Sequence, residues 1–206
     1  MGVEPRALAA VQSPHPDVET VLVTEAQIRS KVAELAAQLR ADYAGREPIL
    51  VGVLTGSIVF LADLLRALAL PCRVDCVAVS SYGSSTRPTE LRLDKDLQRP
   101  VEGGHVVIVE DIVDTGQTLT YLLDLMRQRG VASVEACCLL DKPSRRTVDV
   151  EPRYVGFRIP DEFVVGYGLD YDQQYRSLPY VGTLKRSVYA PRDAESTGPA
   201  AGGRRS

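Results

Sequence analysis

Val106-Val-Ile-Val-Glu110-Asp111-Ile-Val-Asp114-Thr115-Gly116-Gln117-Thr118-Leu119 decides how this chain is read. Val106–Val109 is a short run of branched apolar residues, the pattern of a strand buried on both faces. It runs into Glu110 and Asp111, and a third acid follows at Asp114. Leu119, Leu122, Leu123 and Met126 then recur at helical spacing. That helix is expected to stop at Gly130, a suitable left-handed residue after Arg127 and Arg129. In open parallel sheets, ligands sit where strands end and helices begin. Gly116 permits a tight turn. The N–H groups of residues 115–118 and the hydroxyls of Thr115 and Thr118 can surround a phosphate at the helix N-terminus. The crowded carboxylates repel one another, so they need a ligand. Adjacent acids can accept hydrogen bonds from two ribose hydroxyls, with Mg2+ balancing the remaining charge. The stretch therefore points to a ribose 5-phosphate site. The plain alternative is a loop of solvated acids that cap a helix.

Working outward, Thr24 and Gln27 have capping-box spacing, and Val23 with Ile28 can form a hydrophobic staple. Ile28, Val32, Leu35 and Leu39 follow on one helical face. Ile49–Leu54 and Val74–Val79 read as buried strands, and Ser57 can cap a helix through about Leu68. Residues 81–100 are polar, carry Gly83, Pro88 and Pro100, and are expected to form a long functional loop. Val134–Leu140 is a further strand, in which Cys137 and Cys138 must face opposite ways. Helices alternating with apolar strands define an α/β fold with a mainly parallel sheet flanked by helices. The less regular part from about Asp141 is expected to form a small second lobe. Residues 1–20 are expected to be a mobile extension, 21–190 the folded domain and 191–206 a disordered tail.

Composition narrows the function classes. A length of 206 residues suits one domain with a full core. The net charge of −3 argues against a general nucleic-acid or membrane-surface partner, since such proteins carry a basic excess. No apolar run approaches the roughly 20 residues of a membrane span, and the N-terminus lacks a signal-peptide pattern. The four cysteines show no zinc-site spacing and are expected to be buried thiols in the cytoplasm. Asp114-Thr115-Gly116 is also the triplet of aspartic proteases, but those are all-β and this triplet opens a helix. A Walker-A run is absent.

The Val107–Thr118 stretch resembles the diphosphoribosyl-binding motif of type I phosphoribosyltransferases. Four further segments, in the family's order, continue the resemblance to the hypoxanthine-guanine branch. Val53-Leu-Thr55-Gly56-Ser57 looks like its pyrophosphate loop, and Ser80-Ser81-Tyr82-Gly83 looks like its mobile loop. Leu139-Leu-Asp-Lys142-Pro143 contains the expected base-recognising lysine. Val155-Gly-Phe-Arg-Ile-Pro-Asp-Glu-Phe163-Val164-Val-Gly-Tyr-Gly-Leu-Asp170-Tyr171 looks like its C-terminal signature. The resemblance covers about residues 21–189.

It implies transfer of the 5-phosphoribosyl group from 5-phosphoribosyl 1-pyrophosphate to N9 of a 6-oxopurine, with release of pyrophosphate. On that reading Glu110 and Asp111 hold the ribose hydroxyls with Mg2+ nearby, and Thr115, Gly116, Gln117 and Thr118 hold the 5-phosphate. Asp114 is the general base or acceptor at purine N7. Lys142 donates to the 6-oxo group, Phe163 stacks on the purine, and the backbone of Val164 reads its edge. Thr55, Gly56, Ser57 and Arg176 bind pyrophosphate, Asp170 binds a second Mg2+, and Ser81 and Tyr82 belong to a lid. The partners implied are a purine base and phosphoribosyl pyrophosphate, in a homodimer or homotetramer. The chain departs from the family at Thr55, where many members carry lysine or arginine. A cis peptide is implied at Leu54–Thr55. The competing reading is a regulatory protein of the same fold that binds phosphoribosyl pyrophosphate.

Overall fold

A strand buried on both faces needs an apolar layer on each side, and this chain supplies both from helices that follow its strands. A computed structural model describes residues 14–82 and 90–190. Its elements are β1 (Val18–Val23), α1 (Glu25–Asp42), β2 (Pro48–Leu54), α2 (Ile58–Leu68), β3 (Arg73–Tyr82) and β4 (Glu90–Lys95). There follow β5 (His105–Val113), α3 (Gln117–Gln128), β6 (Ser133–Asp141), β7 (Tyr154–Arg158), β8 (Val164–Val165), β9 (Val181–Leu184) and α4 (Arg186–Tyr189). The main sheet has the order β4-β3-β2-β5-β6-β7. All its pairings are parallel except β3–β4, so the expected mainly parallel α/β sheet is present.

Alternation along the strands sends successive side chains into two cores. Val107, Val109, Cys137 and Leu139 pack with Leu35 and Leu39 of α1 and Leu64 of α2. Val106, Ile108 and Cys138 pack with Leu119, Leu122 and Met126 of α3 on the other face. Cys137 and Cys138 thus point opposite ways, as their adjacency required. Cys72 and Cys76 are only half-buried, which corrects the expectation of four buried thiols.

Helix α1 begins as its sequence predicts. The Thr24 side chain accepts from the Gln27 N–H, and the Gln27 side chain accepts from the Thr24 N–H at 2.8 Å. Ser57 behaves differently. It precedes α2 but makes no capping bond; its hydroxyl donates to the Val53 carbonyl at 2.7 Å and is fully buried. Gly130 has φ +69°, as a left-handed helix stop should.

Three boundaries move once distant partners are seen. Residues 81–100 do not form one long loop: β3 continues through Ser81 and Tyr82, and β4 returns antiparallel, pairing Ser81 with Leu91 and Tyr82 with Glu90. The remainder of the expected lid, residues 83–89, lies outside the described residues. The expected extension is crossed by β1, which pairs antiparallel with β9, Val18 opposite Leu184. Finally, the part after Asp141 does not form a lobe by itself. β7 completes the main sheet beside β6, while β8 and β9 take β1 as the third strand of a small sheet. Val18, Val165, Tyr180 and Leu184 form the core of that lobe.

Candidate active site

The strand order places the site. From β2 the chain crosses through α2 to β3 on one side; from β5 it crosses through α3 to β6 on the other. A crevice therefore opens between the carboxyl ends of β2 and β5, the switch point at which such sheets bind ligands. Residues 55–57 follow β2 and the Glu110–Thr118 stretch ends β5, so both predicted anion-binding segments meet there.

Strand β5 is longer than its apolar run. Parallel pairing with β6 continues through Glu110 with Cys138 to Val113 with Asp141. Glu110 and Asp111 are strand residues rather than loop residues, and only Asp114 stands beyond the strand. Glu110 is 6% exposed. Burial, reinforced by the charge of Asp111, pushes its carboxyl well above the usual range. Burial also pushes Asp111 up to about 6, against the lowering effect of nearby backbone N–H groups and Arg176. Asp111 packs directly on Gly56: a methyl group there would overlap its carboxylate. The glycine is thus the reason the loop after β2 can approach the acid. The Leu54–Thr55 peptide bond is cis, as the resemblance implies, and Thr55 is exposed. Ser57 donates its N–H as well as its hydroxyl to Val53, at 3.3 and 2.7 Å, so the polar groups on offer in this loop belong to Thr55 and Gly56.

Gly116 caps α3 at φ +86°, and a side chain there would press on Arg146, Val148 and Val150. The loop after β6 therefore lies against the start of α3. Thr147 N–H donates to the Thr115 carbonyl at 3.0 Å, and the Gln117 amide reaches the Thr147 hydroxyl at 3.5 Å. Arg146 donates to the Asp114 carbonyl and pairs with the Asp141 carboxylate, which fastens the turn to β6.

Lys142 N–H donates to the Val113 carbonyl at 2.9 Å, so the lysine emerges beside Asp114. It is not a surface lysine: the residue is 7% exposed, with Nζ 3.9 Å from Asp161. Arg145 Nε lies 3.1 Å from Asp114 Oδ1 and 3.7 Å from Asp161. Two acids and two cations thus share one edge of the site. Phe163 is 40% exposed and is not a core residue; Tyr189 stacks on it at 4.9 Å and Tyr171 meets it edge-on at 5.6 Å. Val164 lies next to it in β8, paired with Thr183.

On the pyrophosphate side, Arg176 pairs with Asp170 at 2.9 Å and donates to the Gly168 carbonyl at 2.7 Å. Asp170 also accepts from the Gln173 N–H at 2.9 Å. Gly168 abuts the Gly56 carbonyl so closely that a side chain would overlap it. Asp170 and Arg176 both act electrostatically on Asp111, so the C-terminal signature joins the acids of β5 in space.

Arg145, Arg146 and Asp161 were not among the residues singled out from sequence. The available signal was the Arg145-Arg146 pair just after Lys142-Pro143.

The crevice at the switch point thus has acids on one side and a glycine-capped helix on the other. Residues 22–172 match the phosphoribosyl transferase domain family. The hypoxanthine-guanine phosphoribosyltransferase of Bacillus subtilis is 48% identical over 174 residues, 84% of this chain and 97% of that protein. A crystal structure of a hypoxanthine phosphoribosyltransferase from Staphylococcus aureus superposes with a TM-score of 0.84 at 47% identity, covering 88% of this chain and 100% of that one. The bifunctional TilS/HprT protein of Listeria innocua is 47% identical over 186 residues; the chain spans 29% of that protein's length. The chain belongs to the phosphoribosyltransferase family, within its hypoxanthine-guanine branch. Among the described residues, no helix is long and apolar enough to cross a membrane.

Proposed function

We propose that this chain transfers the 5-phosphoribosyl group from 5-phosphoribosyl 1-pyrophosphate to N9 of hypoxanthine or guanine, forming IMP or GMP and pyrophosphate. The observation that carries this reading is a buried lysine and an acid set side by side at the ends of adjacent strands. Lys142 and Asp114 follow β6 and β5, joined by the Lys142 N–H bond to Val113. A 6-oxo group accepts hydrogen bonds and a 6-amino group donates them, so a lysine donor selects oxopurines. Asp114 accepts the proton at N7, which makes N9 the better nucleophile. Arg145 Nε donates to one oxygen of that carboxylate at 3.1 Å, which leaves the other oxygen as the acceptor for the base. Phe163 offers a stacking surface on the face that Tyr189 does not cover, with the backbone of Val164 at the purine edge.

Glu110 and Asp111 hold the ribose hydroxyls. Residues 115–118 hold the 5-phosphate at the positive end of α3. Thr55, Gly56 and Arg176 face the pyrophosphate. The donor set fits Mg2+: Glu110, Asp111 and Asp170 offer hard oxygen atoms, and a cation relieves the repulsion between buried Glu110 and half-buried Asp111. Among the described residues no group of three or more ligands forms a metal cage. One or two of these carboxylates would therefore hold the ion together with substrate oxygens, the usual mode for Mg2+. When bound, it neutralises charge on the departing pyrophosphate.

The test is a panel of hypoxanthine, guanine, xanthine and adenine, each with phosphoribosyl pyrophosphate and Mg2+. Nucleotide forms with hypoxanthine, guanine or both; binding of phosphoribosyl pyrophosphate without any transfer would instead establish the regulatory reading. Lys142→Ala should reduce the preference for hypoxanthine over adenine, measured as a ratio of kcat/KM, by about 10- to 100-fold, since it removes a charged hydrogen bond. Unaltered discrimination would remove Lys142 from the base contact.

A further inference from the structure

Gly166, Tyr167 and Gly168 have φ of +98°, +51° and +102°. Glycine adopts this region freely, but tyrosine is strained in it, so something must hold Tyr167 there. Its N–H donates to the Leu178 carbonyl at 2.8 Å, and its ring is buried. Its hydroxyl donates to Asp63 of α2 at 2.6 Å. Burial and this bond push the phenol far above its ordinary range, so it remains a neutral donor. Asp63 is also paired with Arg66 one turn further along α2.

Each end of this bond leads to the pyrophosphate side of the site. Helix α2 begins directly after the Thr55–Ser57 loop. Tyr167 adjoins Gly168, which abuts the Gly56 carbonyl and accepts from Arg176, itself paired with Asp170. We infer that Tyr167 and Asp63 are positioning residues: their hydrogen bond clamps the Gly166–Asp170 turn to α2 and so sets Gly56, Asp170 and Arg176 for phosphoribosyl pyrophosphate. The inference rests on the function proposed above and deepens it. Thr55 sharpens the need for the clamp. With no cation at that position, the loop's hold on an anion falls to backbone N–H groups and Arg176, whose alignment decides how well they bind.

The experiment measures phosphoribosyl pyrophosphate binding calorimetrically with Mg2+ and no base, beside steady-state kinetics. Tyr167→Phe keeps the ring and removes the donor. It should weaken binding and raise the KM for phosphoribosyl pyrophosphate about tenfold or more, while the KM for hypoxanthine moves less than about twofold. Asp63→Ala, at a half-exposed helix position, should give the same split and covers the case of a Tyr167 variant that does not fold. Asp63→Asn keeps an acceptor and should restore much of the affinity. Wild-type binding in both Tyr167→Phe and Asp63→Ala overturns the inference. So does equal weakening toward both substrates, which marks general damage. A wild-type protein that binds phosphoribosyl pyrophosphate yet makes no nucleotide sinks the transferase reading alone, and the binding series still judges the clamp. A wild-type protein that does not bind it sinks both.

Discussion

Asp114→Asn should lower kcat with hypoxanthine and guanine roughly 100- to 10,000-fold, the range of general acid–base assistance. Asparagine keeps the size of the side chain and one acceptor oxygen but cannot take a proton. The KM values should move little, because the interaction removed is worth most when positive charge develops on the purine. Folding should be nearly unaffected. Asp114 is half-exposed and its partner Arg145 is about as exposed, so water screens their ion pair and it adds little to stability. Arg145 also keeps Asp161 as a partner at 3.7 Å. A variant with wild-type kcat would remove Asp114 from the proton-accepting role. A variant with normal kcat and a much higher KM for the base would make it a binding residue only.

Gly56→Ala should reduce kcat/KM for phosphoribosyl pyrophosphate by roughly 100-fold or more. The added methyl group overlaps the Asp111 carboxylate, and Gly168 blocks retreat on the carbonyl side. Either the loop after β2 moves away or Asp111 turns aside, and displacement of about 1 Å in a site can cost about 100-fold. The loss should fall on phosphoribosyl pyrophosphate and leave the base KM close to wild type, because Lys142 and Phe163 lie on other elements. Initial-rate measurements with each substrate varied in turn check this. A wild-type KM for phosphoribosyl pyrophosphate would show that the loop tolerates the methyl group and that the close packing on Asp111 has no role in binding.

Features encoded within a few residues were legible in the sequence. The Thr24–Gln27 capping box starts α1 as read, and alternation separates Cys137 from Cys138 into opposite cores. The acids and the glycine turn at the end of β5 declared a sugar-phosphate site because their chemistry is local. Features that depend on a distant partner were not legible. The first half of β1, Val18–Thr20, falls in the expected loose extension because its partner, β9, lies about 160 residues away. β4 was read as loop because a polar edge strand has only one covered neighbour and so shows no apolar run. Glu110 and Asp111 were read as loop acids because only pairing with β6 reveals that the strand continues beneath them. Ser57 is a different case: it has the composition of a helix cap, yet its hydroxyl turns back to the Val53 carbonyl only four residues away, a choice between two local partners that residue type does not encode.

The sequence by itself determined the family, the mainly parallel α/β class and the identity of the acids, the lysine and the glycine turn. Those are statements about residue types and their spacing along one strand or one turn, where neighbours are a few bonds apart. The tertiary structure decided which of these residues act together. It set Gly56 against Asp111 and Gly168, buried Lys142 beside Asp161, laid Arg145 on Asp114 and tied Tyr167 to Asp63. Each contact joins segments well separated in the chain, and each exists because the sheet order sets the ends of β2, β5, β6 and β7 side by side and the small lobe packs against them.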